Sequence, residues 1–486
     1  MSNQSALCEQ RSAGVLLHIS SLPGPMSSGR LGADAMHFMR WLAQAGVSVW
    51  QILPIGPTDA IGSPYSLLSA FAGNPLFLNH EGPWQPHEDI ALLGQACPSV
   101  EALVAGMLGQ LEAGEHREWR NAYVDFAAHN AYWLDDYALY DVIRRETGQP
   151  WYQWPDNLKH RDAKTMQSYA RAKRKEIEES KLLQFLFHVQ WGCLRSYASS
   201  LNLRIYGDIP IFCAYDSADV WSHPEYFMLD AHGQMLELSG VPPDLFSDTG
   251  QLWGSPQYNW ERLERDDFIW WVKRIEAAFG YYDLLRIDHF RGLESSWVVP
   301  AGSKNAVNGY WKKGPGTKLF EAIEHTLGPV PFVAEDLGDI TPEVERLRKQ
   351  LGIPGMRVLQ FDFDGNPDNP HAPHNHTRDS VVYTGTHDND TLIGWWSGLS
   401  ETQKAQVVQH VPHPELGIPW SVIDCALLSV GFLAIVPMQD LLGLGSEARM
   451  NTPGEAYGNW RWRFQWSDVP GDLCEKTKTF IRRAQR

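Results

Sequence analysis

Eight short apolar runs punctuate the chain: residues 14–19 (GVLLHI), 48–53 (SVWQIL), 202–207 (NLRIYG), 283–288 (DLLRID), 331–335 (PFVAE), 356–361 (MRVLQF), 380–386 (SVVYTGT) and 431–437 (GFLAIVP). They are rich in Val, Ile and Leu and lack the alternation of a half-exposed strand, so they predict strands buried on both faces. Helical text fills the gaps. Residues 33–45 carry apolar positions at helical spacing, as do residues 260–279 through Trp271, Val272, Ile275 and Phe279. Ile340-Thr341-Pro342-Glu343 offers a cap, a proline at the first helical position and an acid in the first turn. Eight buried strands alternating with helices predict an α/β fold: a (β/α)8 TIM barrel rather than an open sheet, with inserted subdomains, mainly helical, between its strands.

Two gaps exceed a simple crossover. Roughly 150 residues separate the second and third strands, with charged helical text at Arg117–Thr147 and Lys159–Ser199, which predicts an inserted helical subdomain over 81–200. After the third strand the text turns rich in Gly, Pro, Ser and aromatic residues. This predicts a loop-rich subdomain over 213–260, above the active site, because long loops in compact domains usually carry function. With no repeat, low-complexity tract or Pro/Ser linker, residues 1–486 read as one catalytic domain.

Three of the runs lead into carboxylates, Asp288, Glu335 and, across Thr386-His387, Asp388, spaced roughly 50 residues apart, about one strand-helix unit with its loops. Acids at the C-terminal ends of barrel strands sit where such folds keep their chemistry. Arg286 and Asp288, two apart on a strand, point to the same side, and a guanidinium beside a carboxylate favours its charged form. That suits a nucleophile. His289 points the other way and reads as packing or support. Glu335 is the candidate general acid, with a pKa to be raised by burial or nearby negative charge. Asp336 reads as pointing away or capping the next helix. Asp388, beside His387, is the third acid, although Asp388 or Asp390 also reads as a cap for the helix-like run 392–396. Two carboxylates for acid and nucleophile work with a third beside them is the equipment of glycoside chemistry.

Composition narrows the partners. A net charge of −17 disfavours nucleic acid or an anionic membrane surface and is indifferent to a neutral substrate. The 21 Trp, 17 Tyr and 19 Phe fill a large core and also offer faces for pyranose rings. The six cysteines, at 8, 97, 193, 213, 425 and 474, form no C-x-x-C pair and suggest reduced thiols in a cytoplasmic protein. Residues 1–11 lack a basic stretch leading into an apolar core, and no segment has transmembrane length. Gly443–Ala448 mimics a dinucleotide fingerprint without its βαβ setting. His371, His374 and His376 read as a solvated loop rather than a metal site. No lysine ends a strand, which argues against a Schiff-base aldolase.

With these residues in hand, the chain resembles the 4-α-glucanotransferase family (amylomaltase or disproportionating enzyme), relatives of the α-amylases. The resemblance runs from Ser12 to Phe464 in blocks: Trp50-Gln-Ile-Leu-Pro-Ile-Gly-Pro57, Gly62-Ser-Pro-Tyr-Ser66, Gly207-Asp-Ile-Pro-Ile-Phe212, Arg286-Ile-Asp-His-Phe290, Ala334-Glu-Asp-Leu-Gly338, Thr386-His-Asp-Asn389 and Arg449-Met-Asn-Thr-Pro-Gly454. It implies a retaining double displacement with Asp288 as nucleophile, Glu335 as acid/base and Asp388 as transition-state stabiliser. It further implies that Arg286 and His387 orient the nucleophile and bind sugar, that Tyr65 is an aromatic platform and that Asp208 is a polar residue at the same subsite. The segment Asp248–Pro256, with Trp253, Ser255 and Pro256, resembles one that arches over the acceptor groove, and Asn451 joins the substrate-binding set. Ser255 stands where the family often has Asn, and Tyr310 where Arg is common. The implied partners are maltooligosaccharides, amylose or other α-1,4-glucans as donor and acceptor. No cofactor or metal is implied, and the oligomeric state stays open.

An α-glucan hydrolase would use the same three acids. A non-catalytic glucan-binding protein would be expected to lack one of them. A metal- or phosphate-dependent barrel enzyme is the remaining alternative.

Overall fold

The computed structural model describes residues 10–24, 28–80, 97–114, 116–243, 247–455 and 457–486. The reading of the N-terminus up to residue 9, Cys8 and residues 81–96 of the expected helical insertion lie outside them. In chain order the strands are β1 (Ser12–Leu16), β2 (Val49–Gln51), β3 (Arg204–Ile209), β4 (Glu237–Val241), β5 (Gln251–Pro256), β6 (Leu284–Ile287), β7 (Ser295–Pro300), β8 (Tyr310–Lys313), β9 (Phe332–Ala334), β10 (Gly355–Val358), β11 (Ser380–Tyr383) and β12 (Leu433–Pro437). All eight apolar runs contribute a strand to one parallel sheet of order β10-β11-β12-β1-β2-β3-β6-β9. The Ala334 N–H donates to the Pro354 carbonyl at 2.8 Å and brings its two edges together into a barrel.

The strands separate two apolar environments. Leu16, Val49, Tyr206, Leu284, Val333 and Ile435 fill the barrel interior. Their neighbours, such as Ile205, Leu285 and Val382, pack outward among the helices. This double burial is why the runs are continuously apolar, each large side chain contributing roughly 1.5–3 kcal/mol. Gly207 alternates with the inward-facing Tyr206 and Asp208, and a Cβ there would meet the Tyr282 ring at 2.2 Å.

Between β2 and β3 the described residues form the helices Val100–Glu112, Arg117–His129, Ala131–Thr147, Ala163–Ala172 and the 27-residue Arg174–Ser200. The longest of these docks on the segment after β2 through paired amide bonds. Gln184 bonds both the N–H and the C=O of Gly73 (2.8 and 3.0 Å), and Gln190 does the same for Asn79 (2.9 Å each). Buried loop backbone is satisfied in this way without a strand partner.

Three expectations change. Residues 213–260 are not simply loops: β4 and β5 join β7 and β8 in a four-stranded antiparallel sheet, order β5-β4-β7-β8. β5 is largely exposed and β4 contains Gly240, so neither makes an apolar run. The helix expected over 260–279 breaks into Trp260–Arg265 and Ile269–Tyr281, because Asp267 and Phe268 take φ of 51° and 53°. Asp336 does point away, but it caps nothing. It accepts from the Met356 N–H at 2.6 Å and pairs with Arg348 (3.2 Å) and Arg357 (3.3 Å).

No described helix is long and apolar enough to cross a membrane. Cys193, Cys213, Cys425 and Cys474 are free thiols.

Candidate active site

β3 and β6 lie in register, with Asp208 beside Arg286, so two side chains of opposite charge emerge together at the barrel mouth. Arg286 Nη1 stands 2.6 Å from Asp208 Oδ2 and 2.9 Å from Asp288 Oδ1. One buried guanidinium thus holds two carboxylates. Burial works against its charge, but Asp208 and Asp288 keep it protonated well above the ordinary arginine range. Asp208 also accepts the Tyr65 hydroxyl at 2.7 Å. Burial and the nearby Asp288 push the Asp208 carboxyl upward, while Arg286 and Tyr65 hold it back.

Glu335 follows β9, the neighbour of β6. Its Oε2 accepts the His289 N–H at 2.7 Å and its Oε1 the Leu337 N–H at 3.0 Å. The residue after Asp288 therefore binds the second acid directly. His289 reaches this geometry at φ 53°, a left-handed conformation that persists where the surroundings over-determine it. Burial, reinforced by the charge of Asp288, pushes Glu335 up to about 7 against the opposing pull of Arg286 and the two N–H donors. Near neutrality a substantial fraction carries a proton.

The third acid lies after β11. Asp388 Oδ1 accepts from Asn451 Nδ2 at 2.7 Å, and His387 Nε2 lies 3.4 Å from Oδ2. Arg449 fixes the backbone by donating to the Asp388 carbonyl at 2.6 Å. Burial lowers the His387 pKa, so its ring is neutral near pH 7. It stacks on Tyr65 with centroids 5.1 Å apart and planes 17° apart. The capping reading of Asp388 and Asp390 does not hold. Thr391 caps Leu392–Gly398 by accepting from the Gly394 N–H, and Asp390 is engaged by Ser446 at 2.6 Å.

The remaining expected residues fall into two groups. Trp253, 38% exposed on β5, sets its ring edge-on to His289 with centroids 4.7 Å apart and thus reaches the residue that binds Glu335. Its strand continues through Ser255, whose carbonyl accepts from Ser239 Oγ, to buried Pro256. Asp248 instead occupies an exposed turn in which the Gly250 N–H donates to the Ser247 carbonyl, and no described hydrogen bond or ion pair joins it to the acids. Tyr310 bonds Glu237 on the antiparallel sheet rather than Asp288, Glu335 or Asp388. Sequence reasoning missed Trp460, whose ring lies 6.0 Å from both Tyr65 and His387. Its only signal was the aromatic-rich stretch around it.

Among the described residues no group of three or more His, Cys, Asp or Glu is arranged to hold a metal ion. His376, expected in a solvated loop, is buried between Ser429 Oγ and the His371 carbonyl, 2.8 Å from each. Burial pushes His371 and His376 down to about 4.

This arrangement places a guanidinium-held carboxylate, a partly protonated carboxyl and a third, amide-held carboxylate at one barrel mouth beside stacked rings. Residues 17–468 match the family model described as 4-alpha-glucanotransferase. The chain belongs to the 4-alpha-glucanotransferase family. It is 44% identical over 495 aligned residues to the 4-alpha-glucanotransferase of Thermus thermophilus, covering 97% of each chain. With the chloroplastic/amyloplastic enzyme of Arabidopsis thaliana it shares 43%, covering 93% of this chain and 81% of the relative. Among solved structures, the amylomaltase from Streptococcus agalactiae in complex with acarbose superposes with a TM-score of 0.89 at 34% identity, covering 98% of this chain and 100% of that one. The chain is thus a 4-α-glucanotransferase, an enzyme of transglycosylation on a (β/α)8 barrel. The matched span contains the three acids, Tyr65, Trp253 and Asn451.

Proposed function

We propose that this 4-α-glucanotransferase moves α-1,4-glucan segments between maltooligosaccharides by a retaining double displacement, with Asp288 as nucleophile, Glu335 as acid/base and Asp388 as stabiliser of charge on the sugar. The observation that carries this reading is the pair of unequal carboxyls on β6 and β9. Asp288 is bound by Arg286 at 2.9 Å, while Glu335 is pushed up to about 7. A carboxyl beside a guanidinium suits the nucleophile, and one raised by burial suits the acid.

In the first step the glycosidic C1–O bond breaks, the leaving oxygen takes the Glu335 proton and C1 forms an ester with Asp288. In the second, an acceptor hydroxyl gives its proton to Glu335 as its oxygen displaces Asp288 from C1. Asp388 and neutral His387 face the sugar between these steps, and Tyr65, stacked on His387, supplies the ring platform. Arg286, held by Asp208, keeps the nucleophile aimed.

Transfer requires that sugar out-compete water at the ester. Trp253, Ser255 and Pro256, on the strand that reaches over His289, are the acceptor-side candidates, with Asp248 at the outer end of the same segment. The donors and acceptors proposed are maltooligosaccharides, amylose and other glucans of starch or glycogen type, in the cytoplasm. The acarbose held by the Streptococcus agalactiae amylomaltase supports this substrate class.

Feeding maltotriose tests the reading. Glucose together with oligomers longer than the substrate, at constant reducing-end concentration, is expected. Rising reducing ends with no longer products would instead assign hydrolysis.

A further inference from the structure

We propose that Asp440 is a positioning residue for Asp388, clasping from both ends the loop that carries it. Asp440 lies in the short helix Met438–Leu442 after β12 and is 1% exposed. Its Oδ2 accepts from Thr384 Oγ1 at 2.7 Å, and its Oδ1 accepts the Leu392 N–H, also at 2.7 Å. Thr384 directly follows β11, and Leu392 begins the next helix. Everything between them is the loop that holds His387 and Asp388. One side chain therefore fixes the distance between the loop's two ends.

Further bonds join the clasp. Gln360 Nε2 donates to the Asp390 carbonyl at 2.7 Å, and Ser446 and Arg449, in the segment after the helix that carries Asp440, hold Asp390 and Asp388. The loop also braces itself, with Asn389 Oδ1 accepting from the Thr386 N–H and hydroxyl at 2.8 and 2.9 Å. Asp440 and His387 both line a cavity of about 20 Å³, large enough for one water. The charged and titratable groups facing it are Asp390, His18, His387 and Arg449. Arg449 is already spent on the carbonyls of Asp388 and Asn451, so no cation among the described residues pairs with Asp440.

An unpaired acid buried in this way is costly unless its acceptors are needed. Burial pushes Asp440 up to about 7, with Asp390 adding to the effect. Either protonation state keeps the clasp. The carboxylate accepts both bonds, whereas the acid donates its O–H to Thr384 Oγ1 and still accepts from Leu392. Asparagine reproduces the second pattern and alanine neither.

The inference rests on the proposed role of Asp388, so the test is a double-mutant cycle on maltotriose transfer in the full-length enzyme. Asp440→Ala is expected to lower kcat about 10- to 100-fold, the scale of a misplaced catalytic group. Asp440→Asn is expected to stay within about threefold of wild type. In the Asp388→Asn background, Asp440→Ala is expected to change the residual kcat by less than about twofold, since a group acting through Asp388 has nothing left to position. Multiplicative losses, or Asp440→Ala with wild-type kcat beside an inactive Asp388→Asn, would overturn the clasp alone. Wild-type kcat in Asp388→Asn would overturn the role of Asp388 and the clasp with it. Should Asp440→Ala fail to fold, Thr384→Val removes one of the two bonds without changing side-chain shape, and the same cycle is run with it.

Discussion

The floor of the site and its cover are built in opposite ways. On the floor, Arg286 has a side chain only 4% exposed and is held between Asp208 and Asp288 on central barrel strands. Over it, Trp253 stands 38% exposed on β5, an edge strand of the antiparallel sheet, and meets the floor through ring contacts with His289 and Phe212. β5 is flexed further by a register shift against β4 and by Gly254 at φ 72°. The contrast has a physical basis. Charges that must face a reacting carbon need fixed distances, which parallel strands in register provide. Choosing sugar over water needs a surface that can admit and release a chain, which an edge strand with few buried contacts provides.

The sharpest way to break the floor is at the proposed nucleophile. Asp288→Asn is expected to lower kcat at least about 1,000-fold with the fold intact, measured by maltotriose turnover and circular dichroism. Glu335→Gln follows, with a loss of roughly 100- to 10,000-fold. It also has a stability consequence. Glu335 is raised in the folded state, so its contribution is present below the unfolded value of about 4.5 and is lost as pH rises through about 7. Glu335→Gln is therefore expected to melt higher than wild type at pH 8 and to show a smaller difference at pH 4, as calorimetry would reveal. For the same reason, wild-type activity limited by the first step is expected to decline as pH rises above about 7. Arg286→Leu strands two carboxylates and is expected to cost about 3–5 kcal/mol of stability along with activity, read by denaturant unfolding.

The cover should respond differently. Trp253→Ala is expected to leave the melting temperature within about 2 °C, since partly exposed side chains contribute little to stability. It should lower the ratio of transfer to hydrolysis about 3- to 10-fold, measured from products and reducing ends. Asp248→Ala, in the exposed turn, is expected to change either quantity by less than about twofold. A large effect at Asp248 with none at Trp253 would reverse the assignment within the cover.

Much of the floor was legible in the chain. Apolar runs leading into acids placed Asp288 and Glu335 at strand ends, with Asp388 in the loop that follows β11, and period-two geometry put Arg286 on the side of Asp288. The antiparallel sheet was not legible, because β4 and β5 are short, carry Gly and Ser and have exposed faces that leave no apolar run. Trp460 was missed for a different reason. Its place beside Tyr65 depends on a tail that returns to the mouth, with the Trp460 N–H bonding the Met450 carbonyl, and no local pattern encodes that return. Asp390 beside an apolar helix start resembled a cap, but Thr391 won that position because its side chain is the one that reaches the Gly394 N–H.

The sequence by itself determined the eight barrel strands, the helical alternation and which residue types follow the barrel strands, since hydrophobic periodicity and turn chemistry act over a few residues. Tertiary structure alone decided that the His289 N–H binds Glu335, that Arg286 is shared between two acids, and that Asp440 spans the two ends of the Asp388 loop. Those are contacts between segments far apart in the chain. Burial there raises Asp208, Glu335 and Asp440, and burial is a property of the assembled barrel rather than of any stretch of residues.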